Sequence, residues 1–190
     1  SPILRGFEAN KILLVVDGIR MNNAIYRNGH LQNSITVDQE ILESVEVIFG
    51  PTSVIFGSDA LGGVISYQTK DPVYSMDKQL ITKLNASYQY GSVNQASTKH
   101  LDINLGGKKI ALLGSVTDKK FGDIIMGANR NPFIGEFGKQ FNFVTQIDGR
   151  DTIVDNSNPL RQRNTGYQQR DYLAKLSIRP HIHHNIIFNV

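Results

Sequence analysis

His30 is the side chain whose surroundings best suit it to chemistry. It lies in Tyr26-Arg27-Asn28-Gly29-His30-Leu31-Gln32-Asn33, a polar stretch that reads as a loop. Imidazole is a common ligand of haem iron, and Tyr26 and Arg27 stand beside it as candidate ligand contacts. The plainer reading is a surface histidine that hydrogen-bonds its own loop. His181, His183 and His184 surround Pro180 in what reads as a tight connection. Three imidazoles could bind a metal, but a solvated turn is the simpler account. Between Asp118 and Gly166, Phe121, Phe133, Phe137, Phe141 and Phe143 are interleaved with Arg130, Lys139 and Arg150. Exposed aromatics with arginine can contact a ligand or a partner protein, and they can equally pack the segment on itself.

Other chemistry finds no support. Gly50-Pro51-Thr52-Ser53-Val54-Ile55-Phe56-Gly57 has the glycines of a phosphate loop, but no Lys follows Gly57 as a Walker motif requires. No Ser/His/Asp order and no His-Glu-x-x-His occurs, so nothing asks for catalysis. The 190 residues contain no cysteine, which removes thiolate zinc sites, thiol catalysis and disulfides. With 20 Lys+Arg, scattered along the chain, against 17 Asp+Glu, the excess of +3 is too small to favour nucleic acid.

The elements that must position these residues follow two grammars. Residues 1–71 read as a compact α+β unit. Ile12 to Val16 is a continuous apolar run entering an Asp17-Gly18 turn, as expected of a buried strand. Val45 to Phe49 is a second strand stopped by Gly50-Pro51. Thr52 to Leu61 reads as a short helix ended by Gly62-Gly63, and Val64 to Thr69 as a third strand. From 77 to 190 the pattern alternates with period two. Leu80, Thr82, Leu84, Ala86, Tyr88 and Tyr90 share one face opposite Lys83, Asn85, Ser87 and Gln89. Leu101, Ile103 and Leu105 alternate with Asp102 and Asn104, and Ile110, Leu112, Gly114 and Val116 continue the apolar face, which Leu113 blurs. Tyr172, Ala174, Leu176 and Ile178 alternate with Lys175, Ser177 and Arg179 before Ile186, Phe188 and Val190.

Segments of about ten residues with one apolar face suit transmembrane barrel strands, which need ~9–11 residues at a tilt. The connections alternate in length: short at 92–97, tight at 106–109, very long at about 118–166 and tight at 180–184. Outer-membrane barrels put short turns on the periplasmic side and long loops outside. No apolar run reaches the ~20 residues of a spanning helix, so a closed barrel is the one membrane structure open to this chain.

The ordered set Arg5-Gly6-Phe7, Leu14-Val15-Val16-Asp17-Gly18-Ile19-Arg20, Val45-Glu46-Val47-Ile48-Phe49-Gly50-Pro51 and Phe56-Gly57-Ser58-Asp59-Ala60-Leu61-Gly62-Gly63-Val64-Ile65 resembles the plug domain of TonB-dependent outer-membrane receptors. The resemblance implies an α+β plug (1–71) followed by four to five antiparallel strands (77–190) of a large plugged barrel. Both chain ends read as cut, so the sequence is expected to be a piece of such a receptor, with a signal peptide and a TonB-contacting segment lying upstream. Gly29-His30-Leu31 and Gly63 to Thr69 are similar to haem-uptake members, in which a plug histidine at this place is an axial ligand. The function implied is capture of an iron-containing ligand, with haem as the transported ligand rather than an intrinsic cofactor. The implied partners are the TonB complex, a small iron-containing ligand or haem-carrying protein, and outer-membrane lipid, with no nucleic acid. Siderophore or cobalamin receptors share the fold, and glycan or peptide importers are disfavoured because Ile19 rather than Pro follows Asp17-Gly18. A β-rich surface adhesin or binding module is the alternative from another class. One departure stands out: the family usually carries Arg where Phe49 lies, and that Arg is expected to meet carboxylates on the barrel wall.

Overall fold

The structure, a computed structural model, describes residues 4, 6, 11–21, 37–50, 53–57, 60, 62–77, 79–127, 129, 131, 133, 135–181 and 183–190. Two sheets dominate it. The first has the order β2-β1-β4-β3, built from β1 (Ile12–Val16), β2 (Ile19–Arg20), β3 (Leu42–Phe49) and β4 (Gly63–Thr69). β1 runs parallel to β4, with Ile12 opposite Gly63 and Val16 opposite Tyr67. β1 is apolar without interruption because both of its faces are covered, as is usual for parallel pairs. Ile12 and Leu14 pack with Val37, Ile65 and Tyr67 on one side. Leu13 and Val15 pack with Ala60 and Val64 on the other.

The Asp17-Gly18 turn joins β1 to β2 with φ of 48° and 81°, and Val16 pairs with Ile19. Two residues at positive φ make the tight hairpin whose twist matches its strands, which is what this dipeptide predicts. Gly63 has a different reason to be glycine. Its φ is +147°, and a Cβ there would sit 2.6 Å from the carbonyl oxygen of Ile48 on the neighbouring strand. The helix expected over 52–61 is described only as α1 (Ser53–Phe56), a single turn.

The second sheet has the order β13-β12-β7-β6-β5. Its long members are β5 (Ile81–Gly91), β6 (Ala96–Gly106), β7 (Ile110–Phe121) and β12 (Tyr167–His181); β13 (His184–Asn189) pairs antiparallel with β12. Pro180 lies inside β12 rather than in the turn, beside a register shift between Ile178 and His181 that frees it from donating to the ladder. β7 runs three residues beyond Asp118, and the connection to β12 carries structure of its own. β8 (Ile124–Ile125) pairs with β11 (Arg161–Gln162), and β9 (Asn142–Ile147) with β10 (Arg150–Asp155). The β9–β10 turn is again Asp-Gly, with Asp148 at φ 51° and Gly149 at φ 75°.

The chain divides into two compact units, residues 1–83, 104–114 and 173–190 in one and 84–103 and 115–172 in the other. Within each, the strands of the second sheet bury polar residues and expose apolar ones. On β6, His100, Asp102 and Asn104 are buried, whereas Leu101 is 44% and Ile103 37% exposed. On β12, Lys175 and Ser177 are buried, while Tyr172 is 71% exposed. Water would drive the opposite arrangement. An outward face of this kind is stable against lipid, with the polar face turned to the lumen. Leu113, which interrupts the apolar face in the sequence, is buried with Ala111 on the inward side of β7.

Candidate functional site

His30, Tyr26 and Arg27 lie outside the described residues. Among the described residues, a polar cluster forms where inward residues of the second sheet meet the first sheet and the segment leaving it. Lys175, at the middle of β12, is 3% exposed in its side chain. Its Nζ donates to Asp71 Oδ1 at 2.9 Å and to the Thr69 carbonyl at 3.2 Å, and lies 3.2 Å from Asp17 Oδ2. An ammonium carries three protons, and here three acceptors meet it. Burying the charge is costly without such partners, so this position requires both carboxylates.

Asp17 is held from several directions. It accepts from the Thr69 N–H at 2.8 Å, from Thr69 Oγ1 at 2.5 Å and from Asn189 Nδ2 at 3.0 Å. Burial alone would raise its carboxyl, but the Thr69 hydrogen bonds and the Lys175 ammonium outweigh that and hold it below the ordinary aspartate value of 3.8. The Asp17 φ of 48° and the hairpin it starts aim the carboxylate at β12, so the turn residue is also the anchor.

The following segment is fixed residue by residue. Asn104 clamps the backbone of Val73 in both directions, accepting from its N–H at 2.7 Å and donating to its carbonyl at 3.0 Å. The Tyr74 hydroxyl meets Ser177 Oγ at 2.6 Å and Asn185 Oδ1 at 2.9 Å. A cavity of about 590 Å3 lies beside the junction, lined by Asp17, Gln68, Thr69, Asp71, Lys175 and Asn189 among others. The arrangement can hold one sheet against the other through charge, and it has no nucleophile or acid–base pair poised on a substrate. Sequence reading caught Asp17 as a turn former and Lys175 as a polar-face residue, but missed that they meet. The available signal was a lysine in the centre of an alternating strand.

Phe49, where an Arg was expected, is 53% exposed. A charged contact lies instead at the far end of β4 from Phe49, with the cation on β12 and the carboxylates on the first sheet and the segment after it. In the other compact unit, His100 lies 2.8 Å from Thr117 Oγ1 and 3.1 Å from Asp102 Oδ2, and Asn85 donates to Asp102 at 2.7 Å. This inward polar network satisfies groups that are almost wholly buried. His181 lies with ring centroids 5.7 Å from His183 and 6.1 Å from His184, and no metal-holding group of three His, Asp or Glu occurs among the described residues. The phenylalanines divide between their two readings. Phe121 stacks on Tyr167 and Phe143 lies under Arg163, whereas Phe133, Phe137 and Phe141 are exposed. Lys139 pairs with Glu136, Arg150 is exposed, and Arg130 lies outside the described residues.

Comparison with known proteins bears on this geometry directly. The sequence model of the TonB-dependent Receptor Plug Domain matches residues 1–64. The chain is 46% identical over 68 residues to a hemin receptor of Yersinia enterocolitica, which covers 36% of this chain and 9% of that protein. It is 46% identical over 69 residues to the vitamin B12 transporter BtuB of Vibrio vulnificus, covering 36% of this chain and 11% of the relative. The solved structure of the siderophore receptor PirA from Acinetobacter baumannii superposes with a TM-score of 0.57 at 18% identity, covering 95% of this chain and 23% of that one. The chain thus spans about a tenth of the length of these curated relatives and about a quarter of the solved receptor. Residues 1–64 thus match the plug domain of TonB-dependent receptors, and nearly the whole chain shares the fold of about a quarter of the solved siderophore receptor.

Proposed function

We propose that the full-length receptor captures an iron-containing ligand, haem in the first instance, at the cell surface and passes it to the periplasm. The TonB complex would act on the plug through a segment outside these 190 residues. The observation that carries the reading is the 46% identity to a hemin receptor over 68 residues, taken with the Gly29-His30-Leu31 motif of this chain. His30 would ligate haem iron from the plug side, with Tyr26 and Arg27 beside the bound ligand. The plug is taken as residues 1–71 and the barrel strands as 77–190, with the connection at about 118–166 facing outward and available to a haem-carrying protein. A second reading, cobalamin uptake, is favoured by the equal identity to BtuB.

The two readings separate in one experiment on the full-length receptor in detergent. Hemin is titrated against wild type and His30→Ala and followed by absorbance, with cobalamin titrated in parallel. Haem uptake predicts a Soret shift whose half-saturation rises about 10-fold or more in the variant, since even a partner supporting a ligand is worth ~10–100-fold. No shift in wild type together with saturable cobalamin binding would assign the receptor to the second reading.

A further inference from the structure

Several basic side chains among the described residues meet carboxylates. Lys119 lies near Asp171, Lys139 meets Glu136, Arg163 approaches Asp123, Arg170 meets Asp118, and Lys175 meets Asp17 and Asp71. At one place several cations gather around a single cavity. Lys108, Lys109, Arg179 and His181 line a cavity of about 570 Å3 together with Tyr74, and no Asp or Glu lines it. None of the three permanent cations has an ion pair with a carboxylate among the described residues.

The cavity is built rather than incidental. Lys108 and Lys109 form the β6–β7 turn, and the Arg179 N–H donates to the Lys109 carbonyl at 2.7 Å, which fixes the β12 end against that turn. The Ser75 N–H donates to the Gly107 carbonyl at 3.1 Å and sets the opposite wall. The Arg179 guanidinium lies 4.1 Å from the centroid of the Tyr74 ring, whose hydroxyl is already engaged by Ser177 and Asn185. Stacking orients the guanidinium and leaves its N–H fork free for a planar or tetrahedral oxyanion. Like charges held together repel, and an anion between them removes that cost.

Position narrows the class of anion. These turns are the short ones, which face the periplasm in an outer-membrane barrel. Beside them Ile110 is 56% and Ile186 48% exposed, so the apolar band ends where the cations begin. Phosphate groups lie at that depth of a bilayer. We propose that this cavity binds a phosphate-bearing anion, either the headgroup of an anionic phospholipid of the inner leaflet or a free phosphate group from the periplasm.

The test uses full-length receptor in nanodiscs of phosphatidylcholine, with and without phosphatidylglycerol, and inorganic phosphate as the soluble probe. Bound phosphorus is followed by 31P NMR for wild type and for Lys108→Gln/Lys109→Gln, which keeps turn length and hydrogen-bonding ends. Arg179→Gln serves as a second variant, and heat-modifiable electrophoretic mobility confirms that each is folded. Wild type should retain phosphatidylglycerol over phosphatidylcholine, and removing two charges near the surface should weaken retention about 30-fold. Displacement of the lipid by inorganic phosphate would identify a free-phosphate site, and resistance to it a headgroup site, both of which support the proposal. Equal retention of the two lipids with no phosphate binding, or retention unchanged in both folded variants, would overturn it.

Discussion

Lys175 shows how one side chain can organise a junction that its neighbours in sequence do not announce. It is the buried member of the cluster, while Asp17 is 19% and Asp71 66% exposed in their side chains. That asymmetry makes the two ways of breaking the cluster unequal. In Asp17→Asn/Asp71→Asn a buried ammonium loses both counter-charges, a change of the kind that costs ~3–5 kcal/mol. In Lys175→Met the cation is gone and the carboxylates retain water, so the expected loss is smaller, ~1 kcal/mol. Denaturant unfolding of the full-length receptor in detergent should rank the variants in that order, and the reverse order would show that the acids, not the lysine, are the partners left stranded. Acid provides a second check. Because the folded Asp17 carboxyl is held below 3.8, its contribution is complete above that pH and is lost as pH falls from 3.8 through the lowered folded value. Stability measured from pH 7 to 4 should not change on account of this group, and the decline below about pH 4 should be shallower in Asp17→Asn. The types of Asp17 and Lys175 were legible in the sequence, but their meeting was not. It depends on a hairpin and a strand separated by more than 150 positions, and no local pattern encodes such a contact.

At the scale of elements, local rules read well wherever backbone geometry was decided by the residues themselves. Ile12 to Val16, Asp17-Gly18 and Gly63 each carry a physical requirement that any fold must meet. The elements that read less well were those set by tertiary context. β7 runs past Asp118, Pro180 sits within β12, and the stretch that read as one long loop holds the β9–β10 hairpin, whose Asp148-Gly149 turn repeats the signal recognised at Asp17-Gly18. The two glycines should respond differently to alanine. Gly18 lies in open space, so Gly18→Ala should cost only the left-handed backbone penalty, ~1–2 kcal/mol. Gly63→Ala adds a clash with the Ile48 carbonyl across the ladder and should cost more, by chemical denaturation of the same receptor. Equal costs would mean that β3 and β4 can separate locally at that point.

For the molecule as a whole, the decisive feature is the inversion of the second sheet. Alternation could be read from the sequence, but alternation alone is shared by soluble sheets, and which face turns outward became visible only with burial in hand. Leu101 and Ile103 outside, with Asp102 and Asn104 inside, is an arrangement that lipid permits and water does not. The candidate ligand residues Tyr26, Arg27 and His30 lie in a part of the chain outside the described residues, so their role rests on the proposed function and its titration. The measurement that bears most directly on the outer-membrane account is spin-label accessibility along β6 and β7 of the full-length receptor in lipid, with single cysteines introduced at positions 101 to 104 and 110 to 113. The account predicts that labels at 101, 103, 110 and 112 collide with oxygen dissolved in lipid and are shielded from a water-soluble nickel reagent, while labels at 102, 104, 111 and 113 are shielded from lipid-phase oxygen. Nickel accessibility at 101, 103, 110 and 112 would place that face in water and contradict the barrel.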